Sequence, residues 1–222
     1  MLFRSAVKQN TLNTKEQEKL EQLFSEYIQS LNVQADIPNV QVNLGIFYVE
    51  RGDLKTAEKA YQQAILLDKY NVGAHLNLAD LYRQNNTDQQ GEKVLKDALL
   101  LSPENAAVFH ALGLLYVRQK QYEVALDAFE NAVKFAPDNS RYSYVYAVAL
   151  NSRGRSNQAL AVLIRANKQQ PNQIEVLQFI LQLASQQKQW KEALEHAEQL
   201  QKLQPDNQRL KQWIVQLKNS KH

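Results

Sequence analysis

The side chains of this chain that could carry chemistry are its histidines and acids. The histidines are His75, His110, His196 and His222. No two stand four residues apart, and no His-x-x-Glu-His or related ligand spacing occurs. There is no Cys. That removes a thiolate nucleophile, a cysteine zinc site, a disulfide framework and haem attachment through C-x-x-C-H. No Gly-rich phosphate loop and no G-x-S-x-G elbow is present. Asp and Glu are scattered, with no spacing that singles out a general acid–base pair. These residues predict a chain that is not an enzyme, with no catalytic residues, no metal and no cofactor of its own.

Charge narrows the partners. In 222 residues there are 26 basic and 23 acidic side chains, a net charge of +3. That balance argues against nucleic acid and against an anionic membrane surface. No apolar run approaches the roughly 20 residues that span a bilayer, so no membrane insertion is expected. The opening MLFRSAVKQN lacks the apolar stretch of a secretory signal. Absence of Cys does not assign a compartment. The expectation is cytoplasmic by default, or periplasmic if the chain is a fragment of an exported protein.

The elements that position any site announce themselves through proline. Pro103, Pro137, Pro171 and Pro205 are each 34 residues apart. A fixed period of this length signals a repeat architecture. The register gives five blocks without insertions: 38–71, 72–105, 106–139, 140–173 and 174–207. Block position 20 is small throughout: Ala57, Gly91, Ala125, Ala159 and Ala193. Position 8 reads Gly45, Ala79, Gly113, Ala147 and Leu181; position 24 reads Tyr61, Leu95, Phe129, Leu163 and Ala197.

The physical content of the pattern is two antiparallel helices per block. Small residues at 8 and 20 admit close helix approach, and large ones at 7, 11 and 24 fill the space beside them. Gly52 and Gly154 are suited to the left-handed turn between the helices. Proline at position 32 ends the second helix. A block cannot bury its apolar face alone, so the blocks must stack. Ala125→Leu is therefore expected to destabilise by roughly 1–3 kcal/mol through overpacking.

These columns resemble the tetratricopeptide repeat family over residues 38–207. The third block carries the motif best, with Leu112, Gly113, Tyr116, Ala125, Phe129, Ala132 and Pro137 in place. The frequent Trp at position 4 is replaced by Gln41, His75, Phe109, Ser143 and Leu177. The resemblance implies an all-α fold, a right-handed α-solenoid of five repeats whose first helices line a concave groove. The groove would hold Asn43, Asn77, Asp80, Arg83, His110, Arg118, Arg141, Tyr144, Asn151, Phe179 and Gln182, beside aliphatics such as Ile46, Leu114 and Val148. Asn amides would pair with a peptide backbone, Arg with carboxylates, and Tyr144 and Phe179 would supply buried area. The implied function is a protein–protein interaction scaffold or adaptor for a peptide or partner helix. The alternative is a structural or assembly domain of a larger bacterial protein, with a homo-oligomer left open. The carboxylate clamp of chaperone-binding members matches at one position in five in either register. The asparagine ladder of O-linked N-acetylglucosamine transferases is met only by Asn43 and Asn77. Neither recognition mode is expected.

The stretch from Arg141 to Arg155, RYSYVYAVALNSRGR, is similar to a region of long bacterial proteins that join such an array to multihaem cytochrome-like segments. That resemblance implies an array cut from such a protein, docking beside an electron-transfer unit.

At the ends, residues 1–37 form an arm and an amphipathic helix. Leu20, Leu23, Phe24, Tyr27, Ile28 and Leu31 make its apolar stripe. Thr14 with Gln17, or Asn13 with Glu16, could close a capping box. A second helix without its first implies a piece of a longer protein. Residues 208–222 form a closing helix with Leu210, Trp213, Ile214 and Leu217 inward, and Arg209, Lys211, Gln212, Gln216 and Lys218 outward. Trp190 is expected to pack, like Leu54 and Tyr122 in the same column.

Overall fold

The computed structural model describes residues 13–32 and 35–219. Every element among them is an α-helix, twelve in all. Residues 1–12 and His222 lie outside the described residues, as do the side chains of Thr14, Glu16, Gln17, Leu20, Phe24, Tyr27 and Leu31.

The chain divides into two compact units, one ending at Val94 and the other beginning at Leu95. The first holds α1 (Thr14–Asn32), α2 (Pro38–Glu50), α3 (Leu54–Leu67) and α4 (Val72–Gln84). Helix α5 (Asp88–Leu101) crosses the division. The second holds α6 (Ala106–Arg118), α7 (Tyr122–Phe135), α8 (Ser140–Ser152), α9 (Ser156–Gln169), α10 (Ile174–Gln186), α11 (Trp190–Leu203) and α12 (Gln208–Asn219). Two helices fall within each 34-residue block of the sequence.

The first unit is built on the α2/α3 hairpin, with α4 against both helices and α1 against α2. Gly45 of α2 faces the ring of Tyr61 on α3 so closely that a Cβ there would stand 2.7 Å from the ring Cζ. Tyr61, Ala57, Leu78, Leu81 and Tyr82 form the core of this unit. Ile28 of α1 packs beside Val40, Leu44 and Ala60. Leu23, expected on the same stripe, is 53% exposed; the contact of α1 with α2 is slight beside that of α2 with α3.

In the second unit the hairpins α6/α7, α8/α9 and α10/α11 pack side by side, and α12 closes on α11. One core runs from Leu126 through Ala147, Leu163, Leu177 and Leu181 to Leu210, Ile214 and Leu217. Trp190 packs against it from the side. Trp213, expected inward, is 37% exposed. Leu210, Ile214 and Leu217 follow a 4-then-3 spacing on one face, and Trp213 is rotated off that face to its edge. Lys211, expected outward, is half-buried.

Two local devices recur. At block position 15 the chain turns left-handed in every block: Gly52 and Gly154 at φ 78° and 75°, but also Asn86, Lys120 and Lys188 at 59°, 61° and 58°. The next N–H then reaches back to the carbonyl of position 11, as in Gln121 to Tyr116 at 2.8 Å and Arg155 to Leu150 at 2.9 Å. This is the Schellman closure of a helix. At position 34 an Asn caps the following helix. Asn71 accepts from the Ala74 N–H at 3.0 Å, Asn105 from Val108 at 3.1 Å, Asn139 from Tyr142 at 3.3 Å and Asn207 from Leu210 at 3.1 Å. Gln173 takes the same place without a side-chain cap.

In the position-4 column, where the expected Trp is missing, four of the five residues are buried by other means and Phe109 is half-buried. Leu177 and Ser143 are 0% and 2% exposed. His75 is buried and its Nδ1 lies 2.9 Å from the Asn71 carbonyl oxygen, while the Gln41 amide donates to the Ala35 carbonyl at 2.8 Å.

Candidate functional site

The residues expected to line a groove fall in both units. In the first, Asn43 on α2 is exposed and Asn77 on α4 is half-buried. Asp80 and Arg83, three apart on α4, bond to each other at 2.7 Å. Gln84 Nε2 also donates to Asp80 at 2.9 Å. Burial would raise the Asp80 carboxyl, but the bonds from Arg83 and Gln84 and the Arg83 charge outweigh it and hold it below the usual carboxylate range. Arg83 thus already has a carboxylate in its grasp, rather than waiting for one.

In the second unit two ring contacts link the first helices of three successive blocks. His110 of α6 stacks on Tyr142 of α8, with centroids 4.6 Å apart and planes at 28°. Tyr144 of α8 meets Phe179 of α10 at 5.7 Å. Beside these rings Leu114 and Val148, both at block position 9, are 47% and 43% exposed, and Val117 is 39% exposed. Arg118 ends α6 and Arg141 is the second residue of α8, both exposed. Gln182 is exposed on α10. Asn151 is half-buried and accepts from the Ser156 hydroxyl at 2.7 Å, which spends one lone-pair direction locally.

His110 is the most perturbed of these groups. Burial first, and the Arg141 charge second, push its pKa down to about 4. Its Nδ1 is buried without a hydrogen-bond partner. The ring is therefore a neutral, flat, largely apolar platform at physiological pH, not a cation.

Sequence reasoning missed Tyr142, which sits at block position 3 and carries the stack on His110. The other two described histidines have structural settings: Nδ1 of His75 and of His196 each lies 2.9 Å from the carbonyl oxygen four residues earlier. Among the described residues no group of three His, Asp or Glu side chains could hold a metal ion. No described helix is long and apolar enough to cross a membrane.

Residues 95–210, slightly more than half of the chain, match the family model described as the cytochrome c-type biogenesis protein H TPR domain. The chain belongs to this tetratricopeptide repeat family. Residues 48–115 match a second, general tetratricopeptide repeat model. The fold is accordingly the α-solenoid of such repeats. No curated protein matches the chain. Among solved structures, PilF of Pseudomonas aeruginosa aligns with TM-score 0.63 and 20% identity, over 82% of this chain and 86% of that one. A MamA structure aligns with TM-score 0.59 and 20% identity, over 72% and 93%. YrrB, described as a TPR protein with an unusual peptide-binding site, aligns with TM-score 0.56 and 19% identity, over 82% and 93%. At these identities the likeness is one of tetratricopeptide fold.

Proposed function

We propose that the chain is a non-enzymatic protein–protein interaction scaffold, with residues 38–207 as its repeat domain. In this reading the first-helix faces of the second unit take an extended peptide or a partner helix. The observation that supports it most is the joined pair of ring contacts, His110–Tyr142 and Tyr144–Phe179. They stand beside Leu114 and Val148, aliphatic side chains left exposed in the same column of successive repeats. Rigid rings with exposed aliphatics, bordered by Arg118 and Arg141, have the composition of an interaction hot spot. The family description points to a client within cytochrome c-type biogenesis. YrrB, with its described peptide-binding site, supplies the analogy for a peptide.

The test is affinity capture from source lysate, read by mass spectrometry, with the wild-type chain and an Arg118→Ala, Arg141→Ala, Tyr144→Ala variant of unchanged helicity. A client held by the first and lost by the second supports the reading. Equal recovery by both removes it.

A second reading, an assembly domain, is favoured by Leu66 and Leu100. These occupy one column on second helices and are 78% and 79% exposed. Sedimentation showing self-association that survives the triple variant would select it.

A further inference from the structure

On the second unit a cleft of about 630 Å³ opens between α9 and α11, helices that the surface described above does not use. Two of its polar side chains are more than nine-tenths buried: Asn167 at 7% and His196 at 5% exposure. Asn167 Nδ2 donates to Gln199 Oε1 at 3.0 Å, but its Oδ1 is buried with no hydrogen-bond donor. His196 Nδ1 lies 2.9 Å from the Glu192 carbonyl oxygen. A carbonyl only accepts, so Nδ1 carries the proton.

The buried wall of the cleft thus carries an acceptor, Asn167 Oδ1, that has no donor. Of the acids around it, Glu192 lies 3.3 Å from His196 Nδ1 and Glu198 is paired with Lys218 at 3.0 Å. Glu195 is exposed on the same wall. Lys168 and Lys202 stand exposed at the rim, where their flexible stems let the ammonium groups reach water.

We infer that this cleft is a second binding site of the chain and takes an arginine side chain of a partner protein. A guanidinium carries five donors and no acceptor in a rigid fork. It supplies the donor that Asn167 Oδ1 lacks, which otherwise leaves the desolvation of that oxygen uncompensated. It forks onto the Glu195 carboxylate, and its methylenes lie against Ile164 and Pro171, which also line the cleft. The donor reaches Oδ1 by shifting Gln199, whose other bond, to Asn172 Oδ1, is long at 3.3 Å. An anionic guest would leave Asn167 Oδ1 without its donor and would meet Glu195 as a like charge.

The test is a titration of the isotope-labelled full chain with Nα-acetyl-arginine amide, followed by NMR at the Asn167 and Gln199 side-chain amides and the His196 ring. Saturable shifts at these groups are expected. They should weaken about tenfold in Glu195→Gln, where the fork loses its charge, and persist in Tyr144→Ala, which leaves this cleft intact. The inference is overturned by an absence of saturable shifts, or by an equal response to Nα-acetyl-lysine amide. It is also overturned by full binding in Glu195→Gln, or by a stronger response to Nα-acetyl-glutamate amide, which would make the lysine rim an anion site.

Discussion

Gly113 of α6 lies directly under the ring of Phe129 on α7. A Cβ at position 113 would overlap that ring, with the Cζ only 2.9 Å away. Phe129 is 1% exposed and cannot swing clear. The same two columns read Gly–Tyr, Ala–Leu, Gly–Phe, Ala–Leu and Leu–Ala along the chain. Where one side of the pair grows, the other shrinks. Gly113→Ala should therefore destabilise by roughly 1–3 kcal/mol, as overpacking does. Combined with Phe129→Leu, which restores the Ala–Leu pairing of the fourth block, it should cost less than the two single changes summed. Urea midpoints of the four chains check this; strict additivity would show that the two residues do not share the space. Ala125→Leu, at a position 1% exposed, should fall in the same roughly 1–3 kcal/mol range without such a rescue.

Lys120 and Lys188 hold the left-handed turn at φ 61° and 58°, where Gly52 and Gly154 hold it elsewhere. A side chain there carries the steric cost of Cβ against its own carbonyl, about 1 kcal/mol. Lys120→Gly removes that cost but loosens the unfolded chain, so a net gain of about 0.5 kcal/mol is expected. Gly154→Ala should lose about 1 kcal/mol, although nothing lies within 4 Å of the added methyl. Thermal melts of the two variants should move in opposite directions. A neutral Gly154→Ala would show that strain, not space, was misjudged.

Gln173 occupies the capping column without capping, while Asn139 one block earlier accepts from the Tyr142 N–H. Gln173→Asn places the amide oxygen one methylene closer to the backbone. It should stabilise α10 by about 0.5–1 kcal/mol, and Asn139→Ala should cost about 1 kcal/mol. Amide exchange in the first turns of α10 and α8 reads each effect at its own helix.

Much of the fold was legible because each block repeats the same local rules. Proline spacing, the small columns and Gly52 and Gly154 all point to one helix–turn–helix unit. Lys120 and Lys188 were not legible as left-handed residues, since their type argues against it and only the hydrogen bonds of the turn impose it. Asn71, Asn105, Asn139 and Asn207 stand at the repeat interval in plain view, yet their capping role needs the start of each helix to be known. Trp213 misled because a large apolar residue beside a buried stripe reads as core, whereas α12 offers only one covered face. At the candidate site, the Asp80–Arg83 bond follows from i,i+3 spacing on a helix. The His110–Tyr142 stack joins residues 32 apart and depends on how two blocks pack.

The His110 stack has a consequence for pH. Its folded pKa is pushed down from 6.5 to about 4 by burial, then by Arg141. A proton therefore binds the unfolded chain more readily than the folded one between these values. Protons favour the unfolded state in that window, so stability rises with pH there. The contribution is complete above pH 6.5, is lost as pH falls, and levels off below about 4. His110→Gln removes the titrating group and should flatten this part of the curve, leaving the fall due to carboxylates such as Asp80 at lower pH. Denaturation midpoints of both chains across pH 3 to 8 decide the matter. An unchanged slope between 4 and 6.5 in the variant would mean that His110 is wetter than its place against Tyr142 and Phe129 implies.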